Sequence, residues 1–117
     1  MIKNVKTVSK SKAVIDVVKE MASQNIGAII VLDENRHTVG IFTERDLLKN
    51  VVAKGYDLKG PVGEVMTKDL VCAQLHDDVS VVPDMMIKGG FRHVPILDGF
   101  EPVGILSIRD ILKHLAQ

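Results

Sequence analysis

At 117 residues, 46% hydrophobic and 26% charged, the chain has the size and composition of one soluble globular domain with a single core. Fifteen basic residues balance fifteen acidic ones, and no apolar run approaches the ~20 residues of a membrane span; both facts argue against a nucleic-acid or membrane partner. The single Cys72 excludes an intrachain disulfide, and the N-terminus has no signal-peptide core, so a cytoplasmic location is expected.

In chain order, Val14, Val17, Val18, Met21 and Ala22 recur at helical spacing and predict an amphipathic helix. Gly27 opens the continuous apolar run Ala28-Ile29-Ile30-Val31-Leu32, the pattern of a strand buried on both faces. A polar turn, Asp33 to His37, leads into a second strand, Thr38 to Phe42. Thr43 then starts a helix with Leu47, Leu48, Val51 and Val52 expected on its inner side, ending near Gly55. Tyr56 to Lys68 reads as a linker with one structured turn at Val62–Met66. Beyond it the same course is expected again: a strand over Leu70-Val71-Cys72-Ala73, and a helix marked by Val79, Val82, Met86 and Ile87, starting late or bending at Pro83. Strands at Val94 to Leu97 and Val103 to Leu106 follow, with a closing helix from Ser107.

That second course is a repeat of the first. Val39-Gly40-Ile41-Phe42-Thr43-Glu44-Arg45-Asp46 returns as Val103-Gly104-Ile105-Leu106-Ser107-Ile108-Arg109-Asp110, 64 residues on, and Ile29 to Asp33 returns as Val94 to Asp98, 65 residues on. One residue is therefore deleted between Asp98 and Val103. The expected fold is α/β: tandem β-α-β-β-α units packed pseudo-symmetrically, with repeat 1 over 1–55, linker and second-repeat preamble over 56–68, and repeat 2 over 69–117. Each unit is too small to bury its apolar face alone.

The tandem, the V-G-I-x-[T/S]-x-R-D segment of each copy, the Phe91-Arg92-His93-Val94-Pro95-Ile96-Leu97-Asp98 strand and the Val62-x-Glu64-Val65-Met66-Thr67 preamble together resemble the CBS-domain pair, or Bateman module, of the small stand-alone type. The resemblance covers essentially the whole chain. It implies a regulatory module that binds an adenosine-containing ligand (AMP, ADP, ATP, NAD or S-adenosylmethionine) in clefts between the repeats, assembles as a homodimer and signals to a regulated protein. Two departures stand out: only Met1 to Val5 precede the first strand of repeat one, and Ile30 occupies a position where the family often has Pro.

Thr43…Asp46 and Ser107…Asp110 admit two readings. One is a capping box, a hydroxyl closing the first helical turn against an acid three residues on. In the other, which the resemblance implies, Asp46 and Asp110 accept hydrogen bonds from both hydroxyls of a ribose while Thr43 and Ser107 anchor the same sugar. A carboxylate suits that task because it is acceptor-only and can hold two donors at once. Arg92 and His93 either enter the buried strand as solvated residues or contact phosphate. Repeat one has Gly27 and Ala28 there, so the two clefts differ, and a phosphate-bearing nucleotide that fills one site is expected at the Ser107–Asp110 box. Ile41, Ile105, Gly27 and Ala28 are candidate walls for an adenine or simply core, and Pro95 completes the candidate set.

No metal cluster, Gly-rich phosphate loop, nucleophile elbow or acid/base pair is present in the sequence, so no catalysis and no catalytic cofactor are expected. Cys72 lacks a His–acid pair and reads as structural. The aliphatic stripes Leu47-Leu48-Val51-Val52 and Ile111-Leu112-Leu115 predict a two-fold dimer. The rival reading from another class is a structural dimerisation module in which both boxes are only caps.

Overall fold

The computed structural model describes residues 2, 3, 5–76 and 92–107. Its elements are β1 (Ile2–Lys3), β2 (Thr7–Ser9), α1 (Val14–Gln24), β3 (Ala28–Leu32), β4 (Thr38–Thr43) and α2 (Glu44–Asp46, continued as a π-helix over Leu47–Val52). A 3₁₀ turn at Val62–Glu64 precedes β5 (Ala73–Gln74), β6 (His93–Asp98) and β7 (Glu101–Ser107). The chain divides into two compact units, Lys6–Asp69, and Met1–Val5 together with Leu70–Gln117. The expected helix around Val79, Pro83 and Met86 and the closing helix with Arg109, Asp110 and Ile111 lie outside the described residues.

In the Lys6–Asp69 unit the sheet order is β2-β3-β4, with β2 parallel and β4 antiparallel to the central strand. A central strand has neighbours on both edges, and all five side chains of Ala28–Leu32 are buried, as the unbroken apolar run requires. Ile29, Val31 and Phe42 pack with Val14, Val17 and Met21 of α1, with Val8 and with Val51. Val18 of the α1 stripe only flanks this core, and Ala22 is exposed rather than inward: the stripe turns past the sheet by its third turn.

The second helix departs further from expectation. Leu47 packs against the core and Val51 is buried, but Leu48 is 65% and Val52 64% exposed. Pairs spaced by four residues form parallel rows on a helix, and only one row can face a single sheet. The helix is also widened here: Ala53 N–H donates to the Leu48 carbonyl and Tyr56 N–H to that of Val51, both five residues back.

The segment read as a linker is built into this unit. Val62 and Val65 belong to its core. α1 has no side-chain cap at Ala13, and its first donors are met from this segment instead: Val14 N–H donates to Gly60 O and Ile15 N–H to Leu58 O, each at 2.9 Å. Further on, Ile41 N–H donates to Thr67 O at 3.0 Å and Thr67 N–H to Ile41 O at 2.8 Å.

The other unit has the sheet order β1-β7-β6-β5. β6 and β7 are antiparallel, β5 is parallel to β6, and β1 pairs antiparallel with β7. The first strand of repeat two is Ala73–Gln74, shorter and later than Leu70–Ala73, and Cys72 lies outside it. Pairing to β6 selects the two residues that come into register with Ile96 and Leu97. Both hairpins carry the same irregularity, a register shift between Val31 and Leu32 and between Ile96 and Leu97. The one-residue deletion falls in the turn between β6 and β7. There Gly99 adopts a φ of 64° that a side chain would strain, and the Gln74 side chain bonds both its N–H and its carbonyl.

Candidate functional site

Thr43 is the last residue of β4, with extended backbone at φ −123° and ψ 166°, and the chain turns there into α2. Its Oγ1 accepts from Asp46 N–H at 3.1 Å, while the Asp46 carboxylate accepts from Thr43 N–H at 3.0 Å, a complete capping box. The two readings of this motif therefore meet in one side chain, since the cap itself engages the carboxylate.

Asp46 is only 6% exposed and is the one buried charged residue among the described residues. Its Oδ2 accepts from Thr43 N–H and from Thr43 Oγ1–H at 3.1 Å. Its Oδ1 accepts from Thr67 Oγ1–H at 2.8 Å and from Asn50 Nδ2–H at 3.2 Å. A carboxylate has about four lone-pair sites, so all of them are filled by the protein. Asn50 spends its second amide proton on Val65 O at 3.1 Å, which ties α2 to the Val62–Thr67 segment.

Gly27 and Ala28 lie beside this box. Ala28 pairs with Thr43 across the β3–β4 ladder, and Gly27 O accepts from Glu44 N–H at 3.0 Å. A Cβ at position 27 would stand 3.2 Å from Glu44 Oε1, a tight contact that a small shift of the exposed Glu44 side chain relieves. Ile41 is buried opposite Ile30, with its backbone committed to Thr67.

The second copy keeps this register. His93 pairs with Ser107 as Ala28 does with Thr43, and Pro95 pairs with Ile105 as Ile30 does with Ile41. Pro95 and Ile105 are buried, His93 half-buried and Arg92 exposed. The ladder thus brings His93 to Ser107, while Asp110 lies outside the described residues. Cys72 is exposed, and partial burial pushes its thiol pKa above the ordinary value, away from a reactive thiolate. No group of three His, Cys, Asp or Glu side chains poised for a metal occurs among the described residues, nor any helix long and apolar enough to cross a membrane.

Sequence reasoning missed Asn50 and Thr67. A signal existed for both. Asn50 is a polar residue four positions after Asp46 inside an aliphatic helix, the spacing at which an amide reaches a carboxylate. Thr67 closes the V-x-E-V-M-T preamble, noted as a motif without a role.

Two sheets with one hairpin register, one ending at the Thr43–Asp46 box and the other at Ser107, in a sequence that repeats the hydroxyl-x-x-Asp motif, define a tandem α/β repeat module. The chain belongs to the CBS domain family, whose profile matches residues 1–53 and 62–117. A 17.7 kDa protein of Acidianus ambivalens is 37% identical over 109 residues, 92% of this chain and 65% of that protein. A CBS domain-containing protein of Arabidopsis thaliana is 34% identical over 108 residues, 91% of this chain and 20% of that protein. The chain therefore spans less than two thirds of the length of these relatives.

Among solved structures, a CBS domain protein of Pyrobaculum aerophilum complexed with AMP matches at a TM-score of 0.84 and 27% identity, over 99% of this chain and 94% of that one. A CBS domain pair in complex with 5′-methylthioadenosine and S-adenosyl-L-methionine matches at a TM-score of 0.87 and 26% identity, over 99% and 91%.

Proposed function

We propose that this chain is a non-catalytic sensor that binds an adenosine-containing ligand of the AMP, ADP, ATP, NAD or S-adenosylmethionine class and passes its occupancy to a regulated protein. The observation that carries this reading is the match, along nearly the whole chain, to two CBS-domain structures that hold AMP or methylated adenosyl compounds. In this reading Asp110 takes the ribose hydroxyls beside Ser107, Arg92 and His93 face the phosphate, and Ile105 and Pro95 wall the base. Signalling follows from differential affinity: the ligand shifts a conformational equilibrium only by the difference in its binding to the two states.

Intact-complex mass spectrometry of the gently purified protein tests the proposal by identifying a bound adenosyl compound. In calorimetry, Asp110→Ala is expected to weaken AMP binding about ten- to a hundredfold, the worth of a charge-assisted hydrogen bond. No bound compound together with no heat from AMP, ATP, NAD or S-adenosylmethionine would refute it.

The saturated Asp46 favours a second reading for repeat one, in which that box is structural alone. Assembly is a separate proposal. Of the first aliphatic stripe only Leu48 and Val52 remain exposed, one above the other on α2, and we assign them to a two-fold contact with a second copy. Leu48→Glu combined with Val52→Lys is expected to give a monomer by light scattering where the unaltered chain gives a dimer. Equal masses for the two proteins would remove this face from the interface.

A further inference from the structure

We propose that the Val65–Thr67 segment and the ribose of a ligand compete for the same oxygen of Asp46, so that occupancy of repeat one releases this segment. The inference rests on the adenosine reading above, extended to the Asp46 box in place of the reading in which that box is structural alone. A vicinal diol needs two acceptor sites, and the carboxylate has none vacant. The two donors on Oδ2 both come from Thr43 and close the helix start, where any departure opens the cap. The two on Oδ1 come from Asn50 and from Thr67, twenty-one residues away in sequence. Those are the donors a diol replaces.

The consequence is mechanical. Asn50 bridges Asp46 and Val65 O with the two protons of one amide, so a diol on Oδ1 breaks the Asp46 end of the clamp and leaves Asn50 on Val65 O alone. Thr67 is then held only by its backbone pair with Ile41. The segment runs directly to Asp69, where one compact unit gives way to the other. Asn50 also sits in the π-helical stretch Leu47–Val52, a rare geometry that recurs at functional sites.

The test is calorimetric titration with adenosine, with Asp110→Ala present throughout so that the repeat-one box alone is read. Thr67→Val keeps the branched shape and removes the donor; it is expected to tighten binding about tenfold, while Thr67→Ser leaves it unchanged. In the protein with native Thr67, adenosine is expected to speed hydrogen exchange at the Ile41 and Thr67 amides, a readout that needs no change at position 67. Equal or weaker binding by Thr67→Val, or slower exchange at those amides, overturns the competition. If no Asp110→Ala protein binds while the unaltered chain does, the competition falls and the adenosine reading stands. If the unaltered chain is silent too, both fall.

Discussion

Asp46→Ala is expected to lower the stability of the Lys6–Asp69 unit by about 2–4 kcal/mol, the cost of leaving several neutral donors without their acceptor. Four donors lose their acceptor at once. Asn50 keeps Val65 O, but Thr43 N–H, the Thr43 hydroxyl and the Thr67 hydroxyl are left facing a methyl group in a half-buried site. Each unsatisfied buried donor costs about 1–3 kcal/mol, reduced wherever the chain relaxes toward water. The denaturation midpoint should fall with little change in slope. A loss below about 1 kcal/mol would mean that the carboxylate does not hold the Val62–Thr67 segment to α2. Stability and affinity must be measured together, because a binding loss in Asp46→Ala alone would not separate lost ribose contact from a loosened unit.

Gly40→Ala is the second large effect, about 2–3 kcal/mol, from overpacking rather than from lost bonds. A Cβ at position 40 would overlap Met66 Sδ and stand 2.9 Å from Met66 Cγ and from Thr67 O. The methionine can swing aside; the carbonyl cannot, since it accepts from Ile41 N–H. Adding Met66→Ala is therefore expected to restore only part of the stability, and exchange at the Thr67 amide should stay fast in the double variant. Full recovery in the double variant would place the whole clash on the methionine and leave the Ile41–Thr67 pair unharmed.

Both effects centre on the Val62–Thr67 segment, and that is where reading the chain and seeing it folded diverge. The apolar run Ala28–Leu32, the helical stripe of Val14, Val17 and Met21 and the recurrence of V-G-I-x-[T/S]-x-R-D determine by themselves the strands, α1 and the α/β class. They are local patterns, and burial rewards them wherever the core lies. The same holds for the helix start at Thr43, where a hydroxyl and an acid three residues apart suffice to make the cap.

What only the tertiary structure decided are matters of long sequence separation. Leu48 and Val52 repeat at the same spacing as Leu47 and Val51, and only the position of the sheet selects which row is buried. The 56–68 segment looks like a connector because its period is short and broken by Gly60-Pro61. It becomes part of a fold when its carbonyls meet the free donors of α1 and its Thr67 reaches Asp46. Whether a carboxylate in a hydroxyl-x-x-Asp box is open to a ligand depends on which distant donors the fold delivers to it. For Asp46 the distant donor is Thr67, twenty-one residues on, and no pattern local to residues 43–50 encodes its arrival.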